Sequence, residues 1–305
     1  MTKILITGAS GFIGKRLVSA LNTKKNTLRA LSRSKIPGVE TVFCNLQLEK
    51  ISKESLKGVD TVFHLAGIAH DSSNQNGQQE SKYIAVNYKA TKILADLAAE
   101  AGVKKFIFLS SVKAGGNLMD SSCMNEYDQS EPEGIYGKTK REAELQVLRR
   151  GRQSGMHISI IRSALVYGPS MKGNLCDMFS GIKKGWFPSL PKILNRRSLV
   201  HVDDVVRAML LVADDSRANE EIFIVTDGIP YSSRDIYEVM RKLLGKSVPK
   251  WYVPKFFFNV LAFFNLSFRY KVNKLFEDSY YSSKKIEALG FKPQRSLREM
   301  NETSF

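Results

Sequence analysis

The sequence predicts an α/β protein: a doubly wound parallel sheet followed by a smaller, mixed C-terminal lobe. Three observations lead there. Short apolar runs alternate with stretches of helical period from the first residues onward. A glycine-rich turn separates the first run from the first helical stretch, and the regular rhythm loosens after Gly168-Pro169. Such alternation implies parallel strands covered by helices on both faces.

In chain order, Ile4-Leu5-Ile6, residues 28–31, 61–65, 106–109 and 158–161 read as buried strands. Helical periodicity covers 12–22, 80–101 and 136–152. These place a first domain over 1–168. The segment 169–198 is less regular. A helix near 203–214, a strand at 221–226 and a helix near 232–244 come next, with 199–226 expected to return to the main sheet. Residues 169–198 and 227–305 then form the second lobe. Its aromatic segment 251–268 is interrupted by Pro254, Lys255, Asn259 and Asn265, too short and broken to span a bilayer. One face of such a helix must be buried, so packing into the lobe's own core is preferred to peripheral membrane contact.

The chain has 305 residues, 43% hydrophobic and 25% charged, which excludes a disordered protein. Its net charge of +16 is spread evenly: residues 1–150 carry 22 basic and 15 acidic side chains, residues 151–305 carry 24 and 15. That spread suits an anionic small ligand, and no nucleic-acid recognition motif accompanies it. Cys44, Cys123 and Cys176 are odd in number and distant in sequence, against a disulfide framework or thiolate metal site. His64, His70, His157 and His201 lack metal-ligand spacing, so no metal is expected. Met1 leads straight into a strand, leaving no room for a signal peptide, and a cytoplasmic location is expected.

The sharpest local signal is Thr7-Gly8-Ala9-Ser10-Gly11-Phe12-Ile13-Gly14, between the first strand and first helix. Glycines permit a tight turn and close approach to a pyrophosphate, which the helix N-terminus attracts. Gly8, Ser10, Gly11, Phe12, Ile13 and Gly14 are therefore candidate dinucleotide contacts. The second strand ends at Ser32-Arg33, where an NAD-binding protein usually carries an acid. A hydroxyl and a guanidinium suit a 2′-phosphate, favouring NADP(H) over NAD(H), which stays open.

Tyr136 and Lys140, four residues apart in Tyr136-Gly137-Lys138-Thr139-Lys140, share one helix face. A phenol with a pKa of about 10 exchanges protons poorly near neutrality unless a cation stabilises its phenolate. Lys140 can supply that cation and hold the nicotinamide ribose. Ser110-Ser111 closes a neighbouring strand.

With these motifs in hand, the chain resembles the extended short-chain dehydrogenase/reductases, the NAD-dependent epimerase/dehydratase family that contains UDP-galactose 4-epimerase and nucleotide-sugar dehydratases and reductases. The further markers are His64-Leu65-Ala66-Gly67, Asn87 in Val86-Asn87-Tyr88-Lys89-Ala90-Thr91, Val166-Tyr167-Gly168-Pro169 and His201-Val202-Asp203-Asp204. The resemblance implies a Rossmann fold with a nucleotide-sugar lobe. It implies that Ser111 holds the sugar oxygen, Tyr136 exchanges its proton, and Lys140 tunes Tyr136. It places Asn45 and Leu46 near the adenine and Leu65, Ala66 and Gly67 along the cofactor, and it gives Asn87 a structural part. Asn174 and Arg197 match positions that hold the diphosphate of a UDP-sugar. Lys172, Lys183, Lys184, Lys192 and Arg196 make the surrounding segment basic, in keeping with a pyrophosphate. A homodimer through the helices near 80–101 and 136–152 is a further implication.

Departures narrow the reaction. Dehydratases of the family follow the catalytic hydroxyl residue with Asp-Glu; here Val112-Lys113 follows Ser111, against dehydration. Ser-Ser-Val-Lys, Ile224-Val225-Thr226-Asp227-Gly228 and Leu289-Gly290-Phe291-Lys292-Pro293 resemble a bacterial O-antigen subgroup. That subgroup holds 4-keto reductases of UDP-N-acetyl-6-deoxyhexosamines beside relatives called epimerases. Ser163 and Tyr281 depart from the usual Pro and Asp. The expectation is an NADPH-dependent reductase of a UDP-4-keto-6-deoxy-N-acetylhexosamine. A UDP-glucose or UDP-N-acetylglucosamine 4-epimerase is the alternative, and a non-enzymatic cofactor sensor comes third.

Overall fold

The computed structural model describes residues 1–48, 50–69, 77–116, 123–264 and 266–300; His70 and Asn265 lie outside them. The chain runs β1 (Thr2–Thr7), α1 (Phe12–Leu21), β2 (Asn26–Ser32), β3 (Glu40–Phe43), β4 (Thr61–His64), α2 (Gly77–Tyr83), a π-helical turn (Ile84–Lys89) and α3 (Ala90–Glu100). It continues with β5 (Lys105–Ser111), α4 (Gly134–Ser154), β6 (His157–Ser163), β7 (Leu165–Tyr167), α5 (Asn174–Lys184), β8 (Arg197–His201) and α6 (Val202–Asp214). The last elements used below are β9 (Glu221–Val225), β10 (Pro230–Tyr231), α7 (Ser233–Leu243), α8 (Lys255–Phe264) and α9 (Leu266–Phe276).

Seven parallel strands form the main sheet in the order β3-β2-β1-β4-β5-β6-β9. The order reverses direction at β1, between β2 and β4, and open sheets of this type take ligands at such a point, beyond the C-terminal strand ends. Alternate residues explain why the strand centres are apolar on both faces. Ile4, Ile6, Phe63, Ile107 and Ile161 pack on one face with Leu17 of α1 and Val205 and Met209 of α6. Leu5, Val62, Phe106, Phe108, Ile158 and Ile160 pack on the other with Leu94 of α3 and Ala143 and Val147 of α4. A parallel sheet covered on both sides needs both faces apolar.

A three-stranded sheet, β10-β8-β7, joins α5, α7 and α8 around a second core containing Tyr167, Leu175, Leu199, Tyr231, Tyr237 and Phe258. Within 199–226, β9 lies in the main sheet while β8 pairs with β7 and β10. The short strands β3, β7 and β10 carry too few residues for an alternation to be read from sequence. The periodic segment 80–101 is α2, the π-helical turn and α3 in succession.

The aromatic segment differs from expectation. Phe258 and Ala262 are buried in the lobe's core, but Phe256, Phe257, Leu261, Phe263 and Phe264 are each more than half exposed. A ten-residue helix carrying apolar residues on every side can bury only the stripe that meets the lobe.

Candidate active site

The turn after β1 is closed by its own backbone. Gly8 has φ +71°, and a Cβ there would stand 2.8 Å from the Ala66 nitrogen; a Cβ on Gly14 would run into the Gly8 carbonyl. Gly11 donates its N–H to that carbonyl at 2.9 Å. α1 then starts without a side-chain cap on Gly11 and without an acid in its first turn. The first backbone N–H groups of the helix, at Phe12, Ile13 and Gly14, precede any intrahelical acceptor and stay available to an anion. Ser10 is exposed beside them, and Lys15, Arg16 and Lys172 flank the turn along a groove of about 340 Å³.

The neighbouring strand ends complete a cradle. Thr7 Oγ1 accepts from the Ala66 N–H at 3.1 Å, and the Thr7 carbonyl accepts from Leu65 at 3.2 Å. Thr7 also meets His64 Nδ1 at 2.7 Å, while His64 Nε2 meets Thr91 Oγ1 at 2.8 Å. Complete burial, reinforced by the Lys140 charge, pushes the His64 imidazole down to about 3, so it stays neutral. His64 is thus a clamp between β1, β4 and α3.

At the end of β2, Ser32 is buried and its Oγ accepts from the Ser34 N–H at 3.3 Å. Arg33 is exposed and makes no hydrogen bond or ion pair among the described residues. Asn45 and Leu46 are half-buried after β3, with Asn45 Oδ1 accepting from the Gln47 N–H at 3.2 Å. No carboxylate occupies the end of β2.

Ser111, Tyr136 and Lys140 come together where β5 ends and α4 begins. Ser111 caps a short 3-10 turn over Val112–Gly115 and accepts from the Lys113 N–H at 3.3 Å. Burial raises the Tyr136 pKa; the phenol lies near enough to this hydroxyl for Ser111 to pull it partly back down, and the Glu144 charge adds to the rise. Tyr136 is therefore a protonated phenol near neutrality. Lys140 is buried, donates to the Leu109 carbonyl at 2.9 Å and sits 4.6 Å from the Phe108 ring centroid. Burial lowers its pKa to about 8 against the opposing pull of Glu144. Gly67 faces this ammonium: a Cβ there would lie 3.2 Å from Lys140 Nζ and 3.2 Å from Asn87 Oδ1. Asn87, in the π-helical turn, accepts from the Ile68 N–H at 2.8 Å and donates to the Ile68 carbonyl at 3.0 Å, fixing the strand-end loop.

Three supporting residues escape a reading of local motifs. Tyr83 is fully buried and presents its ring edge to Tyr136, centroids 6.4 Å apart. Glu144 and Arg162 pair behind Lys140, and Glu144 also accepts from Ser110 Oγ at 2.5 Å. Glu144 was findable: it continues the face of Tyr136 and Lys140 by four residues, and Arg162 directly follows the apolar pair Ile160-Ile161 of its strand.

The second lobe carries the remaining candidates. Asn174 opens α5 and is exposed. Arg197 opens β8, half-buried, its inaccessible Nε without a hydrogen-bond partner among the described residues. Burial presses its guanidinium below the usual range, opposed by Glu277. Neither residue makes a hydrogen bond or ion pair with Ser111, Tyr136 or Lys140. Asp204 explains part of the His201-Val202-Asp203-Asp204 run: it accepts the N–H groups of Gln294 and Arg295, each at 3.1 Å, tying the C-terminal segment to α6. Ser163 and Tyr281 are both buried.

Residues 4–225 match the NAD dependent epimerase/dehydratase family. This chain belongs to that family. The epimerase/dehydratase assignment agrees with a UDP-glucose 4-epimerase of Vibrio cholerae, 32% identical over 82% of this chain and 78% of that protein. An N-acetyl-alpha-D-glucosaminyl-diphospho-ditrans,octacis-undecaprenol 4-epimerase of Escherichia coli O157:H7 is 26% identical over 82% of this chain and 75% of its own length. Among solved structures, a UDP-glucose 4-epimerase of Thermotoga maritima with UDP-glucose superposes with a TM-score of 0.79 at 23% identity, covering 99% and 97% of the two chains. That likeness establishes the family's fold here, and this epimerase/dehydratase family member is an enzyme.

Proposed function

We propose that this protein is an NADPH-dependent reductase acting at C4 of a UDP-4-keto-6-deoxy-N-acetylhexosamine in bacterial surface-polysaccharide synthesis. The observation that carries the reading is the meeting of Ser111 with Tyr136, whose phenol is held protonated, one helical turn from the buried Lys140 ammonium. The residues around Gly8, Gly14 and Gly67 fit a dinucleotide: each is a place where a Cβ would fill the cradle or crowd Lys140. Arg33, exposed and without a partner among the described residues, follows a strand that ends without an acid and fits a 2′-phosphate.

A bound reduced nicotinamide would supply the hydride that C4 gains in becoming an alcohol at O4, leaving the cofactor oxidised. Ser111 holds that oxygen, and Tyr136 transfers its phenolic proton to it. The Lys140 charge stabilises the resulting phenolate until solvent returns the proton. Asn174 and Arg197, on the second lobe, would meet the diphosphate, a reading supported by an Arg197 Nε that has no hydrogen-bond partner among the described residues. Lys172 adds a cation beside the glycine turn.

A second reading, a UDP-hexose 4-epimerase using the same residues, draws support from the Vibrio cholerae relative. It needs a cofactor retained between half-reactions. Denaturing freshly purified protein and identifying the released nucleotide separates the two. Near-stoichiometric NAD⁺ or NADH would replace the reductase reading with the epimerase. An empty protein that binds NADPH more tightly than NADH, and oxidises it with a UDP-4-keto sugar, supports the reductase.

A further inference from the structure

We propose that the outer face of the α8–α9 hairpin is a docking surface for an anionic phospholipid bilayer. Phe258 and Ala262, one turn apart, fasten α8 to the lobe, and Phe258 meets the Phe276 ring at 5.3 Å between centroids. Val272 anchors α9 in the same core. Among the described residues, the opposite side of α8 has no such partner. Phe263 is 83% exposed and Phe264 80%, continuing a stripe with Phe256, Phe257 and Leu261. A contiguous apolar face of this kind, outside the catalytic cleft, marks an interaction surface.

Charge decides what covers it. Lys250, Lys255, Arg269 and Lys271 are exposed around the stripe, and no acidic residue occurs between Glu238 and Glu277. Trp251 and Tyr252, exposed just before α8, are the residue types that settle at the headgroup level of a bilayer. A second copy of a chain carrying +16 would bring like charges together, whereas anionic headgroups complement them. The geometry sets the mode of contact. α8 has 10 residues, about 15 Å at the helical rise, half of a hydrocarbon core of about 30 Å. Among the described residues no helix is long and apolar enough to cross a membrane. The hairpin therefore lies in the interface, rings inserted and basic side chains at the phosphates.

Vesicle co-sedimentation of the full chain tests this without any turnover, so its outcome is independent of the reaction proposed above. The protein should pellet with vesicles of equal parts phosphatidylcholine and phosphatidylglycerol, and bind pure phosphatidylcholine at least several-fold more weakly. The Phe263→Ser/Phe264→Ser double variant, altering only exposed side chains, should keep the wild-type melting temperature and lose binding roughly tenfold or more. An Arg269→Glu/Lys271→Glu variant should lose the preference for phosphatidylglycerol. Absence of vesicle binding, or binding unchanged in both variants, overturns the proposal. So does a concentration-dependent dimer that needs Phe263 and Phe264 and ignores vesicles, which would give the face to a second copy.

Discussion

Glu144 Oε2 and Arg162 Nη2 stand 2.6 Å apart with side chains 1% and 2% exposed, directly behind the lysine of the candidate site. Arg162 also donates through Nε to both Glu144 oxygens, and Ser110 donates to one of them. The pair therefore links β5, α4 and β6 beneath Ser111 and Lys140. Its carboxylate works against the burial that lowers the Lys140 pKa.

Glu144→Gln should destabilise the fold by about 3 kcal/mol or more in urea denaturation, because Arg162 is left as an uncompensated buried charge. Adding Arg162→Met should recover part of that loss. Full stability in the single variant would show that the pair contributes little.

The same variant has a readout in pH. Lys140, pulled down to about 8, loses its proton as the pH rises through that value. The high-pH limb of kcat/KM should therefore fall near 8 in the wild type. Removing the Glu144 charge takes away the interaction that raises the Lys140 pKa, so the limb in Glu144→Gln should move to lower pH. An unmoved limb would detach Lys140 from the pH profile.

Tyr136→Phe should lower turnover by about 10²–10⁴-fold while leaving dinucleotide affinity nearly intact, measured by fluorescence titration. Retained turnover would remove Tyr136 from proton transfer. Lys140→Met should weaken both binding and turnover, since it removes the cation at Gly67 as well.

Arg33→Ala should weaken NADPH binding about tenfold or more and NADH binding hardly at all, since a charge-assisted hydrogen bond is worth roughly 1.5–3 kcal/mol. Equal losses would mean that Arg33 does not read the 2′-phosphate.

His64 should make the protein sensitive to mild acid. Its folded pKa, about 3, lies below the ordinary 6.5, so the unfolded chain binds the proton first. The contribution of neutral His64 is fully present above 6.5 and is lost as the pH falls toward 3, at about 1.4 kcal/mol per unit. His157 and His201 are also pushed down by burial, so the comparison must be with His64→Asn, which retains them. The variant should show a shallower loss between pH 6.5 and 5; parallel curves would refute the assignment.

What the sequence by itself determined is the main sheet and its reactive edge. The strands covered on both faces are built on short apolar runs, and the glycine turn, Ser111 and the Tyr136–Lys140 pair are bound by local geometry: a tight turn, a strand end, one helix face. Contacts between distant segments were a matter for the tertiary structure. It brought Tyr83 against Tyr136, set Glu144 on Arg162 and pinned Ile68 with Asn87, pairings across 53, 18 and 19 residues that no local period encodes. It also decided the fate of 251–268. Apolar residues on all sides of a short helix state that some face must be buried, but only the packed lobe selects Phe258 and Ala262 and leaves Phe263 and Phe264 outside. Periodicity records what each residue prefers; which preferences are met depends on the surface that the rest of the chain presents.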